Sequence, residues 1–138
     1  MKKEPTLKHL KGCKASKHRE AVFDVIKKAQ HPLTAEEIQE TLKQQGKNTP
    51  LSTLYRNLDT LTSHNIISKT TLLDDKKARY ELCTTHHKHY LVCSRCQCMI
   101  PIDACPLDKI INEISDKKHF KVLEHKFEIY GLCHECQN

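Results

Sequence analysis

Two Cys-x-x-Cys pairs, Cys93-Ser-Arg-Cys96 and Cys133-His-Glu-Cys136, are the residues of this chain best suited to chemistry. A two-residue spacer lets a tight turn aim both sulfurs at one point, so two such pairs supply four thiolates to one tetrahedral Zn2+. The competing reading is a pair of disulfides, but a thiol-rich chain of the cytosol binds metal more often than it oxidises. Just upstream runs Cys83-Thr-Thr-His86-His87-Lys-His89. On a strand, His87 and His89 leave the same face. With Asp108 at the start of a predicted helix and His125 on a later strand, they make a mixed nitrogen and oxygen set. Such donors suit Zn2+ or Fe2+ and exchange more readily than four thiolates. This set is a candidate sensing site, whereas the four-cysteine site reads as permanent. A looser set, Cys83, His86, His31 and Asp74, offers a second sensory site at the junction between the two halves. Cys13, Cys98 and Cys105 have no obvious partner: Cys13 reads as exposed, Cys98 as a neighbour of the knuckle and Cys105 as a buried thiol.

Charge divides the chain in the same place as the cysteines. The net charge is +6, and residues 1–83 hold 16 Lys and Arg against 10 Asp and Glu, whereas residues 84–138 hold 7 against 7. Seven of the eight cysteines lie from Cys83 onward. The split suggests a basic module that meets a polyanion, residues 1–83, and a neutral module that holds metal, residues 84–138. With 138 residues, 38% of them hydrophobic and no Trp, each module has a thin core that a structural metal would support. No apolar run approaches the ~20 residues that span a bilayer, and the N-terminus lacks the apolar core of a signal peptide, so a cytoplasmic location is expected.

The elements that must position these groups follow from periodicity. Ser16 can cap a helix with Ala21, Val22, Val25, Ile26 and Ala29 on one side, ended by His31-Pro32. Thr34-Ala-Glu-Glu37 reads as a capping box opening a short helix with Ile38 and Leu42 inward and Gly46 as its stop. Thr49-Pro50 opens a third helix whose inner stripe is Leu51, Leu54, Leu58 and Leu61 and whose end is Asn65. Its other face shows Ser52, Thr53, Tyr55, Arg56 and Asn57, which can bond phosphates or base edges. Two strands, Ile66 to Leu73 and Ala78 to Leu82, then form a hairpin about a turn at 74–77.

Three short helices and a basic-tipped hairpin describe a winged helix-turn-helix, with the third helix reading the major groove. Lys76, Lys77 and Arg79 on the wing, and Lys14, Lys17 and Arg19 near the first helix, are placed to contact phosphates. Beyond His86 come short strands, Tyr90 to Val92, Met99 to Ile102 and Lys121 to Tyr130, with a helix opened by Pro106 between the second and third. Leu107, Ile110, Ile111 and Ile114 give that helix an apolar side. This α+β module has too little apolar material to stand alone, and dimerisation through its strands or helix would bury more.

The Thr49-Pro-Leu-Ser-Thr-Leu-Tyr55-Arg56-Asn-Leu stretch, the His-rich strand running into Cys93-x-x-Cys96, and the closing Cys133-x-x-Cys136 resemble the ferric uptake regulator (Fur) superfamily. The similarity covers nearly the whole chain. Within it, Ile102-Asp-Ala-Cys105-Pro-Leu-Asp108 and His125-Lys-Phe-Glu-Ile-Tyr-Gly-Leu-Cys133 look most like zinc uptake regulators of the Zur type. The resemblance implies a homodimeric, metal-activated repressor with structural Zn2+ on Cys93, Cys96, Cys133 and Cys136. It also implies a dimerisation-domain metal site at His87, His89, Asp108 and His125, and Cys83 as a ligand of an interdomain site. The chain departs from the pattern at Lys88 and Tyr90, where the family usually has sensory histidines, at Lys69 early in the wing, and at Gln97 and Cys98 after the knuckle.

These features lead to an expected α+β fold, a winged helix followed by a small dimerisation domain with a four-cysteine zinc site. The expected function is a zinc-responsive repressor that binds palindromic operators of metal-uptake genes, with regulatory Zn2+, or alternatively Fe2+ or Mn2+, as its signal. An iron-responsive or peroxide-sensing repressor keeps the same fold. A zinc-ribbon adaptor for protein partners would leave the basic half without a role. A zinc deaminase needs His-x-Glu with Pro-Cys-x-x-Cys and an open metal position, and no Pro precedes either Cys-x-x-Cys here.

Overall fold

The computed structural model describes residues 6–7, 17–72, 75–83, 88–102 and 104–138. Apolar residues at helical spacing fold the first half into three helices, α1 (Lys17–Lys28), α2 (Ala35–Gln44) and α3 (Leu51–Ser63). Their inward stripes meet: Val22, Ile38, Leu42, Leu54, Leu58 and Leu61 are fully buried in one cluster. Ser16, the expected cap of α1, lies outside the described residues. Thr34 caps α2, its Oγ1 accepting from the Glu37 N–H at 3.2 Å. Left-handed residues close both later helices. Gly46, at φ +76°, lets Gly46 N–H reach Lys43 O and Lys47 N–H reach Leu42 O. Asn65, at φ 58°, does the same for α3, through Asn65 N–H to Thr62 O and Ile66 N–H to Leu61 O. Each pair of bonds satisfies carbonyls that a helix end leaves without partners.

The hairpin consists of β2 (Ile67–Leu72) and β3 (Asp75–Leu82), antiparallel, with a register irregularity at Thr71/Leu72. β3 begins inside the stretch expected to be a turn. A strand not expected from sequence, β1 (Leu33–Thr34), pairs with β3 through Leu33↔Tyr80 and Thr34↔Arg79, giving the order β1-β3-β2. Two residues are too few for a periodic signal, so β1 was invisible. The three helices and this sheet form a winged helix.

The second half is built on a three-stranded sheet in the order β5-β4-β6. Strand β4 (His89–Cys93) lies at its centre, antiparallel to β5 (Met99–Ile102) and parallel to β6 (Glu128–Gly131). The third strand, expected over Lys121 to Tyr130, is confined to β6, with residues 121–127 irregular. Its polar interruptions leave only Glu128 onward in register with β4. Helix α4 (Asp108–Lys118) precedes it and buries no residue; Ile110 and Ile114 are 51% and 56% exposed. A final 3-10 turn spans His134–Cys136. The chain divides into two compact units, Met1–Thr85 and His86–Asn138. No helix among the described residues is long and apolar enough to cross a membrane.

Candidate metal centres and nucleic-acid face

Backbone geometry gathers the four knuckle cysteines. β4 ends at Cys93, the chain turns through Ser94, Arg95 and Cys96, and Gln97 adopts φ 65° so that its N–H donates to Cys93 O at 2.9 Å. The parallel register Cys93↔Gly131, with Ser94 N–H donating to Gly131 O at 2.8 Å, carries the end of β6 to the same place. Cys133 and Cys136 follow at once. Arg95 Nη1 donates to Cys136 O at 2.7 Å and ties the closing turn to the first knuckle. The sulfurs of Cys93, Cys96, Cys133 and Cys136 all lie within 4.8 Å of one another, and Cys96 and Cys133 are 3.7 Å apart. Zn–S bonds of about 2.3 Å place tetrahedral sulfurs about 3.8 Å apart. The cluster therefore fits a structural zinc site.

Hydrogen bonding around the sulfurs shifts them in opposite directions. Backbone N–H groups of Cys133 and Cys96 hold the Cys93 thiol down to about 5. The Cys136 N–H lowers Cys133, whereas hydrogen bonding to Cys133 pushes Cys136 up to about 12. Cys98 stands beside the knuckle, as expected, and its hydrogen bond to Cys96 pushes it up to about 12.

The second cluster differs from the expected one. Two register pairs build it: His89↔Ile102 returns the chain from β5 past Cys105, and Tyr90↔Glu128 leaves His125 just ahead of β6. His89 Nε2 is 3.1 Å from His125 Nε2 and 3.2 Å from Cys105 Sγ, and Cys105 Sγ is 3.2 Å from His125 Nε2. Phe127 packs edge-on to His89, with ring centroids 5.3 Å apart. His89 itself is 4% exposed. Asp108, expected in this set, begins α4, is exposed, and is not one of the clustered donors; Cys105, read as a buried thiol without a partner, is. His87 lies outside the described residues.

The looser set is not assembled among the described residues. His31 Nδ1 lies 2.9 Å from Pro32 O, and Cys83 donates its N–H to Ile66 O, its thiol raised first by burial and then by Glu81. Neither joins a cluster of three or more donors among the described residues. Asp74 and His86 lie outside them. Tyr90 is buried in β4, while Lys88 and Lys69 are exposed.

On α3, Ser52, Tyr55 and Arg56 are exposed and Thr53 is half-buried. Asn57, expected on the same face, is 5% exposed beside Leu54, Leu58 and Leu61, and Leu51, expected inside, is 38% exposed. Leu54, Leu58 and Leu61 are buried as expected, and the buried stripe takes in Asn57 instead of Leu51, which leaves Asn57 off the exposed face. Lys17 and Lys77 are exposed and Arg19 half-buried. Arg79, opposite Thr34 of β1, is 5% exposed and so is not presented on the wing surface. Lys14 and the side chain of Lys76 fall outside the described set.

A winged helix joined to a unit that carries a four-cysteine cluster fit for zinc and a second donor cluster is the arrangement of a metal-binding transcription regulator. Residues 10–130 match the Ferric uptake regulator family, and the chain belongs to it. It is 32% identical over 128 residues to the ferric uptake regulation protein of Helicobacter pylori, covering 91% of this chain and 83% of that one. It is 28% identical over 127 residues to the zinc uptake regulation protein of Mycobacterium tuberculosis, covering 92% and 97%. The solved structure of Helicobacter pylori Fur, which reveals three functional metal binding sites in that protein, superposes with a TM-score of 0.81 at 31% identity, over 92% of this chain and 84% of that one. The chain is thus a metal-responsive transcription regulator and not an enzyme.

Proposed function

We propose that this protein is a zinc-responsive repressor of metal-uptake genes that binds palindromic operators as a homodimer in the cytoplasm. The observation that carries the reading is the presence of a second donor cluster, at His89 and His125, apart from the four-cysteine site. Four thiolates hold Zn2+ permanently and leave no open position, so a signal needs another site. His89 and His125 supply it, with His87 and Asp108 as the further ligands suggested by sequence. When bound, the ion supplies charge and cross-linking, not reaction chemistry.

DNA contact falls to the first unit. Ser52, Tyr55 and Arg56 on α3 would meet base edges and phosphates, with Thr53 at their side and Lys17, Arg19 and Lys77 adding charge. Association falls to the second unit. Ile100, Leu91 and Ile129 are directly opposite one another across β5, β4 and β6 and are 45%, 38% and 45% exposed. Such an apolar row needs a cover, and a second copy provides it symmetrically.

Metal and DNA strengthen one another's binding because the coupling free energy is shared, typically about 1–3 kcal/mol or about 5- to 150-fold. Fluorescence anisotropy on a palindromic operator library, titrated with buffered Zn2+ and, under anaerobic conditions, with Fe2+, tests the reading. Tight binding that appears with free Zn2+ and is lost in His125→Ala is expected. An iron-responsive repressor is the second reading, favoured by the Helicobacter pylori relative; binding that ignores Zn2+ and follows Fe2+ would establish it instead.

A further inference from the structure

We infer that Cys105 is a metal ligand, and that with His89 and His125 it makes the second cluster a nitrogen and thiolate site selective for Zn2+ over harder ions. The inference rests on the regulatory reading of that cluster and adds the ligand that sets its metal preference. The three donor atoms form a nearly equilateral triangle with edges of 3.1, 3.2 and 3.2 Å. Zn–N bonds of about 2.0–2.1 Å and Zn–S bonds of about 2.3 Å give tetrahedral edges of about 3.3–3.6 Å. The triangle is therefore one face of a tetrahedral site, contracted by a few tenths of an ångström.

Several features favour a metal over a chance contact. Three donors from three separate segments converge on one point, and each presents its ligand atom to the other two. His89 is buried, while Cys105 and His125 are half-buried, so the site is sheltered yet open on one side to a further ligand or to exchange. The four knuckle sulfurs form a separate cluster, so Cys105 is not a spare knuckle thiol. Chemistry then sets the preference. A purely nitrogen and oxygen set accepts Fe2+ and Mn2+ as readily as geometry allows, whereas thiolate is soft and shifts selection toward Zn2+.

The test uses full-length protein with zinc in the four-cysteine site, under reducing and anaerobic conditions, with one equivalent of Co2+ per protomer as the spectroscopic probe. Wild type should show a near-ultraviolet thiolate-to-cobalt charge-transfer band together with tetrahedral visible bands. Cys105→Ser should lose the charge-transfer band and bind Zn2+ on the order of 10- to 100-fold more weakly, as changes around a metal site commonly do. Cys105→Asp, which keeps a ligand but makes it hard, should recover Mn2+ binding relative to Zn2+ and guards against a variant that fails to fold. A band that persists in Cys105→Ser, or Co2+ bound by wild type without one, overturns the inference. It fails alone if the band is unaffected by Cys105→Ser while zinc-dependent DNA binding still requires His125. The regulatory reading fails alone if Cys105 carries the band but DNA binding ignores every metal.

Discussion

At the scale of single residues, protons and metal compete for the same sulfurs. Cys136 is pushed up to about 12 by its hydrogen bond to Cys133, so without an ion the coupled sulfurs favour holding a proton among them. Cys93, held down to about 5, has already lost its own. Because zinc takes its ligands as thiolates, binding releases protons that the cluster holds, and affinity rises with pH and falls on acidification. A pH indicator in weak buffer at pH 7 should record proton release when Zn2+ is added to the stripped protein. No release would mean that the thiols are already ionised. Cys133→Ser should empty the four-cysteine site, since three thiolates hold the ion less firmly than four, as elemental analysis would show.

At the scale of elements, packing and pattern answer to different rules. Leu58 is fully buried where α3 meets α1 and α2, and Leu58→Ala should cost about 2–5 kcal/mol in urea unfolding. A loss under about 1 kcal/mol would mean that the site collapses around the cavity. Arg56 is exposed, so Arg56→Ala should leave stability unchanged while weakening DNA binding and lowering the salt slope by about 1 if it contacts one phosphate. Most of this framework was legible. Thr34, Gly46 and Asn65 announce their helix ends by residue type, and alternating short runs announce β2 to β5. The rest was hidden for identifiable reasons. Asn57 sits among leucines in the amphipathic pattern, but its polarity suggested the outer face. Arg79 looks like a wing charge, but it lies buried opposite β1, a strand too short to announce itself. Cys105 has no spacing motif, because its partners are supplied by strand register: His89↔Ile102 and Tyr90↔Glu128. The four-cysteine site, by contrast, is announced by its two Cys-x-x-Cys spacings, although the register Cys93↔Gly131 is what brings the pairs together.

At the scale of the whole molecule, the second unit is incomplete by itself. Its helix α4 buries nothing, and the row Ile100, Leu91, Ile129 faces outward. If a second copy covers that row, Ile129→Glu should shift the protein from dimer to monomer in analytical ultracentrifugation and weaken binding to two-half-site DNA far more than to a single half-site. A dimer that survives the change would place the interface elsewhere.

Strand β4 has His89 at its first residue and Cys93 at its last, about 13 Å apart at the usual rise. The two donor clusters are thus the two ends of one short rod, and β6 is aligned to that rod by the knuckle at the Cys93 end. If zinc in the four-cysteine site steadies the alignment of β6, and with it the place of His125, an order of assembly is expected in which that site fills before the other end. Removing the second ion with a mild chelator should leave the first in place, but stripping the first should erase both, so the protein counts its metals in one direction only.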